Sequence, residues 1–371
     1  MSKYQTPCRY DFVGSFLRPE EVKKANADYQ EGKISKAEKN QIIDKAVTEV
    51  VAKQKELGFH VITDGEFRRT YWHLDFMWGF EGVTHEKDGG GVQFNGEMAD
   101  LEATYLVGKV KAKVHPFVEY FKFLKQFEDE QTVAKYTIPA PAQMYQQMIV
   151  PHNIEQTRKF YATDDELIED IGKAYQDVIK QFYAAGCRNL QLDDCTWGAI
   201  VGDAAKQRYQ SLGVDIEEVK ARLLKVNNLA LEGRPEDMVI TSHICRGNYH
   251  STFFTSGPYD SVADYVFAQE HVDALLLEYD DARSGGFAPL AKVSPDKKVV
   301  LGLITTKKPE LEDKDKVIAR IHEAEKYIPL ERLCLSPQCG FASCEIGNKI
   351  TEEQQWAKLA LVKEIAEEVW K

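Results

Sequence analysis

The segment MVITSHICRGN, residues 238–248, joins an apolar run to two chemically reactive side chains. The run Met238–Ile240 predicts a buried β-strand, and His243 and Cys245 follow it two residues apart. Residues i and i+2 of a strand point to the same side, so the imidazole and the thiol would face one space together. The segment therefore predicts a strand whose far end carries functional side chains.

Apolar runs of this kind recur between longer amphipathic stretches. Several are continuous runs of Val, Ile and Leu, which is typical of parallel strands buried on both faces. Helical patterns fill the intervals, and two of them begin with a capping-box sequence, at residues 163–166 and 351–354. The eight predicted strands are residues 10–15, 59–64, 135–140, 188–193, 238–243, 273–278, 298–303 and 332–336.

Eight strands that alternate with helices predict the α/β class, as a single (β/α)₈ barrel of the TIM type. We expect one domain over residues 1–371, with long loops at the carboxyl-terminal face. A doubly wound open sheet is the competing fold, but it more often has a glycine-rich phosphate turn, which this sequence lacks. The connection 82–100 is long enough to be a hairpin or lid, and residues 247–258 form another long loop; both could also be ordinary surface loops.

The composition favours an enzyme that acts on small metabolites. Hydrophobic residues make up 43% of 371 positions, which is ample for a large core, and the formal charge of −12 disfavours nucleic-acid or anionic-membrane partners. No apolar stretch has the length of a membrane span or a signal peptide. We therefore expect a cytoplasmic protein whose seven cysteines are reduced thiols.

The ends of the predicted strands carry a set of metal-ligating side chains. His243 and Cys245 end the fifth strand, Glu278 ends the sixth, and Cys339 follows the eighth. In a barrel these ends share one rim, and imidazole, thiolate and carboxylate groups all bind zinc. Taken singly, each residue could be a packed thiol or half of an ion pair. Together they predict a Zn²⁺ site, because thiolates favour zinc over magnesium or calcium.

The position of this set indicates its chemistry. Four protein ligands usually form a structural zinc site, but these ligands span 96 positions (339 − 243) and lie where a barrel has its active site. A zinc ion with two thiolate ligands is a poor activator of water and is better suited to binding a substrate thiol as thiolate. The set therefore favours alkyl transfer to a thiol. A non-catalytic barrel with a structural zinc is the alternative from another class.

This pattern resembles the catalytic carboxyl-terminal barrel of the cobalamin-independent methionine synthases. The zinc set of that family is His-x-Cys, then Glu, then Cys, which here corresponds to His243, Cys245, Glu278 and Cys339. The resemblance extends over about residues 10–345. It implies a zinc-dependent methyltransferase that converts homocysteine to methionine, with polyglutamyl 5-methyltetrahydrofolate as methyl donor.

The resemblance also implies roles for three substrate-binding residues. Ser15 lies in VGSF, which is similar to the family's IGSF, and would bind the homocysteine carboxylate. Glu66 and Asp193 lie in GE and LD segments that resemble the family's, and would hold the ammonium group. A zwitterionic amino acid needs anionic groups for its ammonium and donors for its carboxylate, so the physical requirement agrees.

Three departures from the family concern its second domain and the donor side. The full-length family has a second, amino-terminal barrel, for which 371 residues have no room. Lys307, in GLITTK, stands where the family has a proton-relay histidine, and is therefore the predicted catalytic residue. The family's folate-facing tryptophan has no counterpart, since PAPAQM follows the third strand. We expect a single-barrel relative that uses methylfolate or, alternatively, a methylated sulfur compound or a methylcorrinoid protein.

Three further residues have two open interpretations. Cys195 follows Asp193-Asp194 and would either line the site or pack as a small apolar thiol. Trp72 and His73 follow Glu66 and would either form an aromatic wall over the substrate or belong to an ordinary packing cluster.

Overall fold

The computed structural model describes residues 6–87 and 90–371. Its strands are β1 (Val61–Ile62), β2 (Glu81–Glu86), β3 (Gly91–Gln93), β4 (Met98–Asp100), β5 (Ala103–Lys111), β6 (Val133–Ala134), β7 (Tyr136–Pro139), β8 (Asn189–Asp194), β9 (Val239–Ile244), β10 (Ala274–Glu278), β11 (Lys298–Ile304) and β12 (Leu333–Pro337).

A six-stranded parallel sheet forms the centre of the protein, in the order β12-β11-β10-β9-β8-β7. Each strand pairs with its predecessor in this series, so the carboxyl ends of all six lie along one edge. A second parallel pair joins β1 to β6, and only Lys135 separates β6 from β7. Seven of the eight predicted strands are therefore present, with small shifts in their bounds.

Helices cover the sheet and supply the crossovers that parallel strands require. They are α1 (Glu20–Gln30), α2 (Lys36–Glu56), α3 (Leu74–Met77), α4 (Pro116–Lys125), α5 (Pro141–Ile149), α6 (Ile154–Thr157), α7 (Asp164–Ala184), α8 (Thr196–Ala199), α9 (Gly202–Ser211), α10 (Ile216–Leu231), α11 (Val266–Gln269), α12 (Lys314–Ala324) and α13 (Glu352–Val369). Within the described ranges, no helix combines the length and the apolar character needed to cross a membrane.

The predicted helix starts are confirmed. The Thr163 hydroxyl accepts a hydrogen bond from the Glu166 amide at the start of α7, and Thr351 and Gln354 form a reciprocal capping box at the start of α13. These contacts satisfy backbone donors that a helix leaves unpaired at its first turn. The apolar stripe of α7 faces inward, with Leu167, Ile171, Val178 and Phe182 buried in the core.

The predicted first strand, residues 10–15, is wrong as a regular strand. It forms only two isolated parallel bridges, from Tyr10 to Leu335 in β12 and from Ser15 to Gly65 beyond β1. Between the bridges, side chains replace the strand neighbours as hydrogen-bond donors to the segment's carbonyl groups. Lys135 donates to the carbonyl of Phe12, Gln191 to that of Val13 and Thr63 to that of Gly14. The structure thus has the predicted α/β class and parallel sheet, and the closed eight-stranded barrel stays a prediction.

The connection 82–100 contains the predicted hairpin, although Gly89 of its glycine cluster lies outside the described residues. Strands β2 and β5 pair antiparallel, and β3 and β4 form a smaller antiparallel hairpin between them. We call residues 91–100 the cover hairpin. The Asn95 amide donates to the Phe253 carbonyl at 2.9 Å, and Glu97 accepts from His250 at 2.7 Å. These contacts fasten the cover hairpin to the loop that follows β9.

Candidate active site

The four predicted metal ligands converge at the carboxyl edge of the sheet. His243 and Glu278 stand on the neighbouring strands β9 and β10, Cys245 follows β9, and Cys339 follows β12. Their ligand atoms all lie within 4.8 Å of one another, and the two sulfur atoms are 3.7 Å apart. All four side chains are buried. The predicted set is therefore one cluster that could hold a metal ion.

Among the described residues, His243 and Glu278 each keep one side-chain atom that makes no hydrogen bond. Nδ1 of His243 lies 3.3 Å from the Leu276 carbonyl oxygen, which can only accept, so Nδ1 carries the proton. Oε1 of Glu278 accepts from the Arg246 amide at 2.8 Å. Nε2 of His243 and Oε2 of Glu278 are buried and have no partner among the described residues. Buried polar atoms are rarely unpaired, so these two atoms fit a metal ion.

The surroundings of the cysteine pair favour the protonated thiols. The hydrogen bond with Cys195, followed by burial, raises the pKa of the Cys245 thiol well above its ordinary value. The hydrogen bond with Cys245, again followed by burial, raises the pKa of Cys339. Metal ligation requires the thiolates, so metal binding would release protons from this pair. Cys195 also lines the adjacent cavity, which resolves its two interpretations in favour of the site.

A cavity of about 350 Å³ opens beside the metal set. His243, Cys245 and Cys339 form part of its wall, and Ser15, Glu66 and Asp193 also line it. The structure therefore brings all three predicted substrate-binding residues to the same space as the metal ligands.

Two acidic side chains make this cavity suitable for a cation. Glu66 has a left-handed backbone (φ 63°), which is uncommon for a residue with a Cβ and is frequent at functional sites. Its Oε1 accepts from the Thr137 hydroxyl at 2.7 Å, whereas its Oε2 is buried without a partner among the described residues. Burial, together with the charge of Glu66, raises the pKa of Asp193 to about 8. An ammonium group placed between the two carboxyl groups would relieve this repulsion.

Ser15 retains a free hydrogen-bond donor. Its Oγ accepts a hydrogen bond from the Ala342 amide at 3.3 Å, so its own hydroxyl hydrogen remains available for a carboxylate. Gly340 packs directly against it, since a Cβ at this position would lie 1.9 Å from the Ser15 Oγ. The chain therefore needs a glycine there in order to keep the serine at the cavity wall.

Lys307 does not line the cavity. It follows β11, and its Nζ is buried without a hydrogen-bond partner among the described residues. Its charge opposes the rise that burial causes in the pKa of Asp280. The structure therefore places the predicted catalytic lysine outside the cavity lining, near the buried Asp280.

Aromatic residues contribute much of the remaining wall. Trp72 and His73, whose role was open, both line the cavity with their rings 4.5 Å apart, and burial lowers the pKa of His73 to about 3. Phe94, Tyr249 and Phe254 were missed by the sequence reasoning. Trp72 and His73 could be found from the sequence because they follow Glu66 closely. Phe94 lies in the cover hairpin, and Tyr249 and Phe254 lie in the 246–258 loop, and these two segments meet only in the folded chain.

The parallel α/β sheet has at its carboxyl edge a His-Cys-Glu-Cys set that could hold a metal ion, with an acid-lined cavity beside it. This arrangement is typical of α/β enzymes that have a metal site next to a pocket. The family model of the cobalamin-independent synthase catalytic domain matches residues 10–367. The chain belongs to this family, whose reaction is the methyl transfer of methionine synthesis.

Individual relatives agree with this assignment. The uncharacterized Bacillus subtilis protein YxjG is 42% identical, over 100% of this chain and 97% of its own length. A crystal structure of a putative vitamin-B12-independent methionine synthase from Listeria monocytogenes is 35% identical, with a TM-score of 0.78 and 99% of each chain covered. A 5-methyltetrahydropteroyltriglutamate–homocysteine methyltransferase from Mycobacterium leprae is 22% identical over 88% of this chain, which matches 39% of that protein.

Proposed function

We propose that the protein is a zinc-dependent S-methyltransferase that methylates homocysteine to methionine. The observation that carries this proposal is the shared cavity, in which a possible metal set and the residues suited to an amino acid lie together. We further propose a single catalytic domain over residues 1–371, acting on soluble metabolites in the cytoplasm. In this domain, the bridged segment 10–15 and the β1–β6 pair would complete a closed barrel with the six-stranded sheet.

The chain's own residues would bind and orient homocysteine. The ammonium group would bind the free Oε2 of Glu66 and the carboxylate of Asp193, while Ser15 would donate to the substrate carboxylate. His243, Cys245, Glu278 and Cys339 would hold the zinc ion. A bound zinc ion would supply one thing to the chemistry, a lowered pKa for the substrate thiol, so that sulfur reacts as a thiolate.

Fewer residues indicate the methyl donor than indicate the acceptor, homocysteine. The family implies methylfolate, whose leaving nitrogen must be protonated. For that donor we propose Lys307 as the acid, although it lies outside the cavity lining. A methylated sulfur compound or a methylcorrinoid protein remains the alternative donor, and the residues proposed for homocysteine serve either case.

Turnover assays test the proposal directly. The zinc-loaded protein is incubated with homocysteine and one methyl donor at a time, and methionine is measured by mass spectrometry. X-ray absorption at the zinc edge then separates catalysis from a structural zinc. A catalytic site gains a sulfur ligand when homocysteine is added, whereas a structural zinc keeps its coordination unchanged and would refute the proposal.

Homocysteine binding should release more than one proton at pH 7. A free thiol with an ordinary pKa of about 8.5 is mostly protonated there, and it becomes a thiolate when it is bound. The pKa of Asp193 is about 8 in the empty cavity, and the incoming ammonium lowers it, so this carboxyl group loses its proton too. Calorimetry in buffers of different ionisation enthalpy gives the number of protons released.

The Asp193→Asn variant is the matched control for this measurement. It has no carboxyl proton to lose, so its release should fall to about one, the contribution of the thiol alone. Equal proton release by the parent protein and the variant would show that Asp193 does not give up a proton when homocysteine binds. Binding without any buffer dependence would contradict thiolate formation itself.

A further inference from the structure

Aromatic side chains form part of the cavity lining. In the cover hairpin, Phe94 has its ring 5.3 Å from Tyr249 and 5.8 Å from Phe254. Trp72 and Tyr209 line the same cavity. The faces of such rings carry negative potential and attract cations, most strongly where water is excluded. This wall is therefore suited to a ligand that brings its own positive charge.

Positive side chains are scarce in the cavity lining. Among its lining residues within 6–87 and 90–371, Arg208 is the one arginine or lysine, and its exposed guanidinium lies 5.1 Å from the Tyr209 ring centre. Lys349, near the cover hairpin, is already paired with Glu97. Arg208 can thus match one carboxylate of a donor, whereas a polyglutamyl tail brings several.

Size and hydrogen bonding favour a small amino-acid-like donor. The 350 Å³ cavity must accommodate homocysteine as well as the donor, and pockets of roughly 300–1,000 Å³ commonly hold one drug-sized ligand alone. Gln143 of α5 lines the cavity, and its Oε1 is buried without a partner among the described residues. A second ammonium group could donate to this oxygen.

We propose that the methyl donor is a small sulfonium compound with a single carboxylate, such as a sulfonium amino acid, and not polyglutamyl methylfolate. This inference rests on the proposed function, since it takes homocysteine as the acceptor. The aromatic wall of Phe94, Tyr249 and Phe254 binds the sulfonium group, Arg208 binds the carboxylate, and Gln143 accepts from the ammonium.

The reaction balances without an added acid. The thiolate of homocysteine attacks the methyl carbon, a new sulfur–carbon bond forms, and the bond from the methyl group to the sulfonium sulfur breaks. Its electron pair stays on the leaving sulfur, which departs as a neutral thioether, so the positive and negative charges cancel and no proton is transferred. This agrees with the position of Lys307 outside the cavity lining. Expulsion of a folate nitrogen would need a proton from that residue or another one.

The test uses the zinc-loaded, full-length protein with deuterated homocysteine and three donors, namely S-methyl-L-methionine, methyltetrahydrofolate triglutamate and methylcobalamin. Deuterium separates the methionine formed by methylation from the methionine that leaves the sulfonium donor. We expect kcat/KM for S-methylmethionine to exceed that for the folate at least tenfold. A higher value for the folate or the corrinoid would overturn the inference while leaving the proposed function intact.

A binding measurement isolates the role of the positive charge. The carbon isostere of S-methylmethionine, 2-amino-5-methylhexanoate, has the same shape without the sulfonium charge. We expect the protein to bind the sulfonium about threefold to thirtyfold more tightly, as a cation–π contribution implies. Phe94→Leu keeps an apolar side chain but removes one ring, and should reduce this ratio. Equal affinities in the parent protein would overturn the inference.

The two proposals fail in different ways. If the zinc ion gains no sulfur ligand when homocysteine is added, the proposed function is refuted, and the inference with it. A normal homocysteine response without any methylation by S-methylmethionine would refute only the sulfonium donor.

Discussion

Replacing Cys245 or Cys339 with serine should abolish metal retention and methyl transfer together. Both sulfur atoms belong to a cluster whose ligand atoms lie within 4.8 Å of one another, and each variant removes one thiolate from it. A neutral serine hydroxyl is a poor zinc ligand, so we expect affinity to fall by several orders of magnitude. Zinc content after dialysis and methionine formation are the two measurements.

Cys195→Ser is the matched control, because this thiol lines the same cavity and contacts Cys245 without belonging to the metal set. The variant should retain zinc. Stoichiometric zinc in the Cys245 or Cys339 variant would contradict the assignment of the set. Equal zinc loss in all three variants would indicate a site that depends on the packing of the thiols and not on ligation.

The metal set could be predicted from the sequence because its geometry follows from local rules. His243 and Cys245 face one side since they are two residues apart at a strand end. Glu278 joins them because β9 and β10 are parallel neighbours, and parallel strands bring their carboxyl ends to one edge. Only the order of the strands had to be assumed in addition to the apolar runs.

The segment 10–15 shows where such rules fail. Its sequence reads as a strand, but the carbonyl groups of residues 12–14 are taken by Lys135, Gln191 and Thr63. These partners are 49 to 178 positions away. Periodicity predicts which side of a strand a residue faces. It carries no information about a distant side chain that donates a hydrogen bond to a backbone carbonyl in place of a neighbouring strand. The aromatic wall was missed for the same reason, since Phe94 and Tyr249 meet across two separate loops.

Glu66→Gln should weaken homocysteine binding about tenfold to a hundredfold while leaving zinc bound. The substitution keeps the size of the side chain and its hydrogen bond with Thr137, and it removes the negative charge that faces the cavity. A charge-assisted hydrogen bond contributes on the order of 1.5–3 kcal/mol, which gives this range in affinity. Titration of homocysteine, followed at the metal, measures the effect.

The main alternative cause of weaker binding is a disturbed fold, because Glu66 also pairs with the buried Arg69 at 3.3 Å. Arg69 has other partners, since it donates to the Thr137 carbonyl and its guanidinium lies 4.7 Å from the Phe117 ring centre. A local defect at Arg69 would lower the melting temperature and weaken every ligand equally. Loss of the ammonium contact instead lowers the affinity for homocysteine only. It leaves unchanged the affinity for 4-mercaptobutyrate, which has the thiol and the carboxylate but no ammonium group. Parallel loss of affinity for both compounds, with a lower melting temperature, would therefore indicate a disturbed fold, whereas unchanged affinity for homocysteine would show that its ammonium binds elsewhere.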